Sequence, residues 1–222
     1  MSSGQSKYEF ELTGGALCLD FANTLGDRPR STEEHLGSYG DLVSFSRQAG
    51  SVPAESLDEL GRLAEEHPRK ASSTFKRAIE VRETLFEVFG RIANGEVPEA
   101  AEIQSLNSVL QESMGRLRLR VQGKTLDWDW DDSTLSLERP IWPIVRSAAE
   151  LLTSDEVSSV RECASETCSW LFIDRSRTKR RRWCDMSTCG NRAKARRHYE
   201  RQKQTRASRR PTPPAGRTDS VG

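Results

Sequence analysis

Two short stretches determine how the C-terminal part of this chain folds: CASETC at residues 163–168 and CDMSTC at residues 184–189. Each has two cysteines with four residues between them, and fifteen residues separate the pairs. Two disulfides would also use four cysteines, but residues 1–11 lack the apolar core of an export signal, and thiols inside cells stay reduced. Two close pairs a short loop apart are typical of a tetrahedral zinc site. We therefore predict one Zn2+ held by Cys163, Cys168, Cys184 and Cys189.

The segments around these pairs predict the form of the module. WLFID at residues 170–174 indicates a strand, and residues 182–184 are expected to return beside it as the second arm of a hairpin. Strong helix formers follow from residue 192 to 203. This order predicts a treble-clef-like zinc finger over residues 160–204. Four thiolates complete the coordination shell, so the site is expected to be structural, with His198 as a weaker alternative ligand.

The charges divide at the same point in the chain. Residues 1–160 contain 17 Lys and Arg against 27 Asp and Glu, a balance of −10, whereas residues 161–210 contain 16 against 5, a balance of +11. The formal net charge of +1 for all 222 residues is therefore the sum of an acidic body and a basic module. Such a module can neutralise several phosphates. The candidate nucleic-acid-binding residues are Arg175, Arg177, Lys179, Arg180, Arg181, Arg182, Arg192, Lys194, Arg196, Arg197 and Arg201.

The body, residues 8–155, is predicted to be a multihelical domain. Its clearest helix places Phe75, Ile79, Phe86 and Phe89 at helical spacing and ends at residues 94–95, Asn-Gly. Further helices are expected near residues 16–25, 41–49, 53–66, 98–114 and 142–152. Residues 8–12 alternate like a short strand, and residues 31–34 have capping-box spacing, which predicts a helical turn.

A change of period interrupts the helices. Apolar and polar residues alternate over 117–121 and again over 126–130, which predicts an antiparallel hairpin with basic side chains on one strand and acidic ones on the other. The predicted fold class is therefore mainly α (α+β), with a small hairpin on the helical domain. Residues 1–7 are expected to be a loose N-terminus, and residues 205–222 a disordered tail.

Two sets of residues bear on other functions. Asp20, Asn23 and Thr24 could line a sensor pocket, or could serve helix capping and core hydrogen bonding. The three histidines, at positions 35, 67 and 198, have no nucleophile or metal partner at motif spacing, and no phosphate-binding glycine loop occurs. We therefore do not expect an enzyme.

No stretch is apolar enough for a membrane span, so a cytoplasmic protein is expected.

The motifs resemble those of a known family. Cys163-x4-Cys168, Phe172-x-Asp174 and Arg182-Trp183-Cys184, followed by CGNRAKA at 189–195 and Arg197-His198, look like the CGNR zinc finger. LCLDFANT at 17–24 resembles the start of the ABATE domain, which commonly precedes that finger in bacterial proteins. The resemblance implies a transcription regulator linked to stress responses, with a four-cysteine zinc site. Within the signature, Gly190 permits a tight turn and Asn191 can cap the following helix.

Three functions follow from these observations. The first is a zinc-dependent DNA-binding regulator, in which the body senses a signal or forms oligomers. The second is RNA binding by the same basic module, in which Trp170, Trp183 and Tyr199 could stack on bases. The third is a zinc-stabilised protein-interaction module, whose partner could be the chain's own acidic body. A homodimer is the general expectation for a regulator.

Overall fold

The computed structural model describes residues 8–28, 33–133 and 135–208 of the chain. It divides into two compact units, residues 1–184 and residues 185–222. The N-terminus predicted to be loose, residues 1–7, lies outside the described residues, as do residues 209–222 of the predicted tail. No helix among the described residues is both long and apolar enough to cross a membrane.

Six helices make up most of what the structure describes of the first unit, and the mainly helical prediction is confirmed. Local sequence explains where several of them begin: Pro68 occupies the first turn of the longest helix, Ser38 accepts a hydrogen bond from the Asp41 amide, and Glu99 and Glu102 form a capping box. The helices are α1 (Leu17–Ala22), α2 (Tyr39–Gln48), α3 (Ala54–Glu66), α4 (Pro68–Ala93), α5 (Ala100–Met114) and α6 (Ile141–Leu152).

Helix α1 lies at the centre of the first unit, in contact with α4 and α6. Its Leu19 and Phe21 are fully buried, and Phe21 packs against Phe45 of α2 with ring centroids 5.4 Å apart. From α4, Leu85 and Phe89 are fully buried in the same core. These large apolar side chains supply the main stabilisation of the unit because their burial removes apolar surface from water.

Three antiparallel strand pairs accompany the helices in the described ranges: β1 (Leu25–Gly26) with β2 (Glu33–Glu34), β3 (Leu117–Gln122) with β4 (Thr125–Trp130), and β5 (Val160–Glu162) with β6 (Leu171–Ile173). The predicted hairpin is confirmed as β3–β4, and its register sets Leu119 opposite Trp128.

Two local predictions in the body were wrong. Residues 8–12 form no strand, because the Phe10 amide donates to the Gln48 side chain at 2.8 Å and its ring packs against Phe45. Glu33 and Glu34 form a strand where a helical turn was predicted. The Glu34 carboxylate does not cap a helix, because it accepts two hydrogen bonds from buried Arg82, at 2.6 and 2.8 Å.

The hairpin of the predicted finger has a different partner strand from the expected one. Strand β6 pairs with residues 160–162, which follow a 3-10 turn at Asp155–Ser159, and not with residues 182–184. The reason is burial: Val160, Leu171 and Ile173 all enter the hydrophobic core of the first unit. The opposite edge of β6 is also bonded to the body, since the Ile173 amide donates to the Gly14 carbonyl at 2.9 Å.

The second unit, as far as the structure describes it, consists of one turn and one helix. The Asp185 side chain accepts a hydrogen bond from the Thr188 amide at 2.8 Å, and a π-helical turn follows over Met186–Gly190. Helix α7 runs over Asn191–Ser208 and thus enters the segment predicted to be the tail. Among its described side chains only Ala193 is buried.

Candidate metal centre and nucleic-acid interface

The four paired cysteines meet in one cluster. Their Sγ atoms all lie within 4.8 Å of one another, and all four residues are buried. Cys168 Sγ and Cys184 Sγ are 3.7 Å apart. Four sulfurs at the usual Zn–S distance of about 2.3 Å would be separated by about 3.8 Å at the corners of a tetrahedron. The donor set and its spacing therefore fit one Zn2+, with no position left open for water or substrate.

Backbone hydrogen bonds bring the first pair to the second. The Cys163 amide donates to the Trp170 carbonyl at 2.9 Å, the Cys168 amide donates to the Ser165 carbonyl at 3.1 Å, and the Ala164 amide donates to the Arg182 carbonyl at 2.9 Å. The last of these bonds holds residues 182–184 beside the turn at residues 163–168 that carries the first cysteine pair. These residues therefore do not form a strand beside β6.

Neighbouring thiols control each other's protonation in this cluster. Hydrogen bonds from the Cys168 and Cys184 thiols lower the pKa of Cys163, whereas the hydrogen bond to Cys163 raises the pKa of Cys168 and of Cys184. A thiolate is therefore favoured at Cys163, and thiolate is the form that binds metal. None of the five cysteines, all of which lie in the described ranges, forms a disulfide. Cys18 lies outside the cluster in the core, where burial raises its pKa to about 12.

Asp174 organises the basic loop that follows β6, residues 175–182. Its carboxylate is fully buried and accepts hydrogen bonds from the Ser176 and Arg181 amides, both at 2.9 Å. Burial opposes ionisation, yet these hydrogen bonds and the nearby Lys179 charge hold the pKa of Asp174 below its usual value. The Asp174 amide in turn donates to the Ser159 carbonyl at 2.9 Å. The buried Asp174 carboxylate thus fixes the backbone conformation of the loop through its hydrogen bonds to both ends of the loop.

Three basic side chains of this loop bind the protein itself. Arg175 pairs with Glu156 through two contacts of 2.7 and 3.0 Å. The Lys179 ammonium donates to Ser159 Oγ at 3.0 Å and to the Asp174 carbonyl at 2.8 Å, and its residue has a φ of 50°. A positive φ is uncommon for a residue with a side chain, so these bonds stabilise an otherwise unfavourable backbone.

Arg181 is the third and is closest to the metal ligands. It donates to the carbonyls of Trp183 and Cys184, and its guanidinium lies over the Phe172 ring at 4.6 Å. The Cys184 carbonyl belongs to a predicted zinc ligand, so Arg181 positions that ligand.

The remaining basic side chains of the loop face solvent. Arg177 and Arg180 are exposed and form no hydrogen bond or ion pair with the residues that the structure describes. Arg182 is exposed with its guanidinium 5.1 Å from the centroid of the Trp183 ring. Of the six candidates in this loop, these three are therefore the ones available to an external anion.

Helix α7 presents the second set of candidates. Arg192, Lys194, Arg197 and Arg201 are exposed and Arg196 is half-buried. The predicted cap by Asn191 takes another form: its side-chain amide donates to the Ser187 carbonyl at 2.9 Å, while Asp185 caps the preceding turn. His198 is exposed and does not belong to the metal-binding cluster.

The three candidates for a sensor pocket have hydrogen-bond partners inside the protein. Asp20 accepts from the Gly14 amide at 2.7 Å, and burial raises its pKa to about 6. Thr24 Oγ1 donates to the Phe21 carbonyl at 2.8 Å. Buried Asn23 donates to the Leu171 carbonyl at 2.9 Å and accepts from the Leu171 amide at 2.8 Å. Asn23 thus connects α1 to strand β6, which is 148 residues further along the chain.

An apolar cavity of about 510 Å³ lies elsewhere, between α4, α5 and α6. The amino-acid sequence did not predict this cavity, because helical periodicity indicates which side chains point inward but not where neighbouring helices leave space between them. Among the described residues, no charged side chain lines it. The lining residues are Ile92, Pro98, Ile103, Leu106, Asn107, Leu110, Val145, Ala148, Ala149, Leu152, Thr153, Val157 and Ser158.

Comparisons with known families agree with this organisation. Residues 15–155 match the ABATE family, described as "Putative stress-induced transcription regulator", and residues 159–202 match the CGNR zinc finger. Neither description is that of an enzyme. No curated protein matches the chain at a significant level. Because the first match spans more than half of the 222 residues, the chain belongs to the ABATE family, with a CGNR zinc finger after the ABATE domain.

Proposed function

We propose that this chain is a zinc-dependent DNA-binding transcription regulator. The observation that supports the proposal most strongly is the set of exposed basic side chains adjoining the four-cysteine cluster in sequence. Helix α7 has seven Lys and Arg against one Glu over residues 191–208. It follows directly after the last predicted ligand, Cys189. Zinc would order the start of this helix, because a metal site in so small a module supplies much of its folding free energy.

Duplex DNA is the partner that suits α7 best. Eighteen residues of helix extend for about 27 Å, and the major groove admits an α-helix. The helix has basic residues on all sides and almost no apolar face, so its charges would contact phosphates rather than pack against a protein core. From the basic loop, Arg177 and Arg180 would add phosphate contacts, whereas Arg175, Lys179 and Arg181 stabilise the loop.

Binding of fluorescent duplex fragments, measured by anisotropy over a series of salt concentrations, tests this proposal. The double variant Arg177→Gln/Arg180→Gln is expected to reduce the slope of log K against log salt by about 0.9 for each phosphate that the variant no longer neutralises. The matched control is Arg69→Gln/Lys70→Gln, which removes the same charge from exposed positions on α4.

Three outcomes of this experiment would contradict the proposal. One is the absence of binding by the zinc-loaded protein to genomic fragments at low salt. Another is an equal loss of affinity in the control variant, which would mean that only net charge matters. The third is stronger competition by structured RNA than by duplex DNA, which would favour an RNA-binding function instead.

The proposal includes a sensing role for the ABATE domain, at the apolar cavity described above. Its volume of about 510 Å³ falls within the range of sites for small molecules, and its uncharged lining suits an uncharged apolar effector. Val157 and Ser158 in its wall belong to the 3-10 turn that also contains Glu156 and Ser159. If an effector in the cavity displaced that turn, Glu156 and Ser159 would move with it. Their contacts with Arg175 and Lys179 would then shift the basic loop.

A neutral fluorescent probe, N-phenyl-1-naphthylamine, tests the cavity directly. Its emission should rise on titration with the wild-type protein. The variant Ala149→Trp fills the cavity and should abolish the rise, whereas Ala54→Trp, at an exposed position of α3, should leave it unchanged. An equal rise with all three proteins would show that the probe binds elsewhere and would remove the basis for the sensing role.

A further inference from the structure

The hairpin β3–β4 has one face that is entirely apolar. Residues that are opposite in an antiparallel register share a face, and the register pairs Leu117 with Trp130, Leu119 with Trp128, and Val121 with Leu126. At the base of the hairpin, Trp130 is buried against Trp142 of α6. Towards the tip the same face is open to solvent: Leu119 is 58% exposed, Val121 71%, Leu126 63% and Trp128 56%.

The exposed part of this face is comparable in size to the largest apolar patch of a typical monomer, and such patches are often functional. Taking roughly 200 Å² for each side chain, which is an aromatic value and therefore an upper limit for the leucines and the valine, the four exposed fractions amount to at most roughly 500 Å² of apolar area. A hairpin of two strands is also only marginally stable by itself in water, so a partner on this face would stabilise it.

The charges on the hairpin indicate how the partner approaches. The opposite face pairs Arg118 with Asp129 and Arg120 with Asp127 in register, and Arg118 and Arg120 contact Asp129 at 3.6 and 3.4 Å. A symmetric dimer formed edge to edge would set β3 against β3, or β4 against β4. Arginine would then lie opposite arginine, or aspartate opposite aspartate, which is unfavourable. Stacking of the two apolar faces avoids this repulsion.

We propose that a second copy of this chain covers the apolar face of β3–β4, so that two hairpins stack face to face across a two-fold axis. The six positions of the face contain no charged residue, and the one guanidinium that lies over it among the described residues, that of Arg146 at 5.5 Å from the Trp128 ring centroid, is already paired with Glu150. An identical face matches its length and chemistry. Two such faces together bury at most roughly 1,000 Å², which is the lower bound for a specific interface and predicts a weak, reversible dimer. Trp128, near the centre, is the type of residue that dominates interface energetics. Formation of this dimer does not require nucleic acid.

Sedimentation equilibrium of the full zinc-loaded chain over a range of concentrations tests this inference. The wild type is expected to be a reversible dimer. Leu119→Lys should raise the dimer dissociation constant by at least about tenfold, because it puts a charge into the stacked face. The matched control Gln122→Lys places the same charge on the opposite face and should leave the constant unchanged. A wild-type protein that is monomeric at every concentration overturns the proposal, as does equal weakening by both variants.

A second measurement avoids placing a charge in the hairpin. The photo-crosslinking residue p-benzoylphenylalanine at position 121 should give a covalent dimer after irradiation, and the same residue at position 122 should not. Circular dichroism establishes that both proteins are folded. Crosslinking of position 121 in cells to other proteins only, without self-adducts, would contradict a second copy as the partner.

Discussion

The buried amide of Asn23 provides the sharpest test of how the ABATE domain holds the finger. Substitution Asn23→Ala removes both hydrogen bonds to Leu171 and leaves a buried amide and a buried carbonyl without partners. Each buried group left unsatisfied costs about 1–3 kcal/mol, so we expect the free energy of unfolding to fall by about 2–6 kcal/mol. This is a large part of the roughly 5–15 kcal/mol that stabilises a typical domain.

Urea unfolding of the zinc-loaded protein, followed by tryptophan fluorescence, measures this change as a lower midpoint. Asn107→Ala is the matched control: Asn107 is exposed on α5 and its side chain forms no hydrogen bond with the described residues, so the substitution should change stability by less than about 0.5 kcal/mol. A loss below about 1 kcal/mol for Asn23→Ala would refute the reasoning, because it would mean that water satisfies Leu171 once the amide is gone.

The conservative variant Asn23→Asp adds a dependence on pH. The new carboxylate would still accept from the Leu171 amide, but it would face the Leu171 carbonyl, and burial would raise its folded pKa. Because the folded pKa is above the unfolded pKa of about 3.9, the stability of the Asn23→Asp variant should be highest below about pH 3.9. It should fall as the pH rises through the folded pKa of the new carboxyl group. Stability that does not depend on pH relative to the wild type would contradict this account.

Three further predictions concern the metal centre and the body. Cys189→Ser should abolish stoichiometric zinc binding, measured by metal analysis of the purified protein, whereas Cys18→Ala should retain one zinc per chain because Cys18 lies outside the cluster. Arg181→Ala should weaken zinc affinity by about 10–100-fold in a chelator competition, whereas Arg180→Ala should not, because only Arg181 binds the Cys184 carbonyl among the described residues of the loop. Burial raises the pKa of Asp20 to about 6 in the folded protein, above its unfolded value. The wild type should therefore gain about 2 kcal/mol of stability relative to Asp20→Asn as the pH of urea unfolding falls from 7 to 4, and a constant difference would contradict this.

Local patterns in the chain were sufficient for much of the fold. Alternation over 117–121 and 126–130 predicts the β3–β4 hairpin, because a strand has a period of two whatever it packs against. Likewise, the helical spacing of Phe75, Ile79, Phe86 and Phe89 predicts α4. A prediction from local spacing fails where a residue distant in the chain binds the same side chain. The capping-box spacing over residues 31–34 predicted a helical turn. The Glu34 carboxylate instead binds Arg82, which is 48 residues further along the chain.

The candidate site shows the same limit. Composition alone identifies eleven basic residues as candidates for nucleic acid, and it does not distinguish a side chain that faces solvent from one that binds the protein. In the structure, Arg175 binds Glu156 and Lys179 binds Ser159. The Arg181 amide donates to the buried Asp174 carboxylate. Arg177 and Arg180 have no such contacts with the described residues and remain exposed. Those contacts depend on the 3-10 turn before β5, which no pattern in the basic loop indicates.

The four metal ligands, the mainly helical body, the hairpin and the division of charge could all be predicted from the amino-acid sequence, because each depends on spacing, period or composition within a few tens of residues. Other features required the folded chain: the strand that pairs with β6, the arginines that remain available, the cavity between the helices and the exposure of the apolar hairpin face. The physical reason is that these features depend on contacts between residues far apart in the chain, such as Asn23 with Leu171.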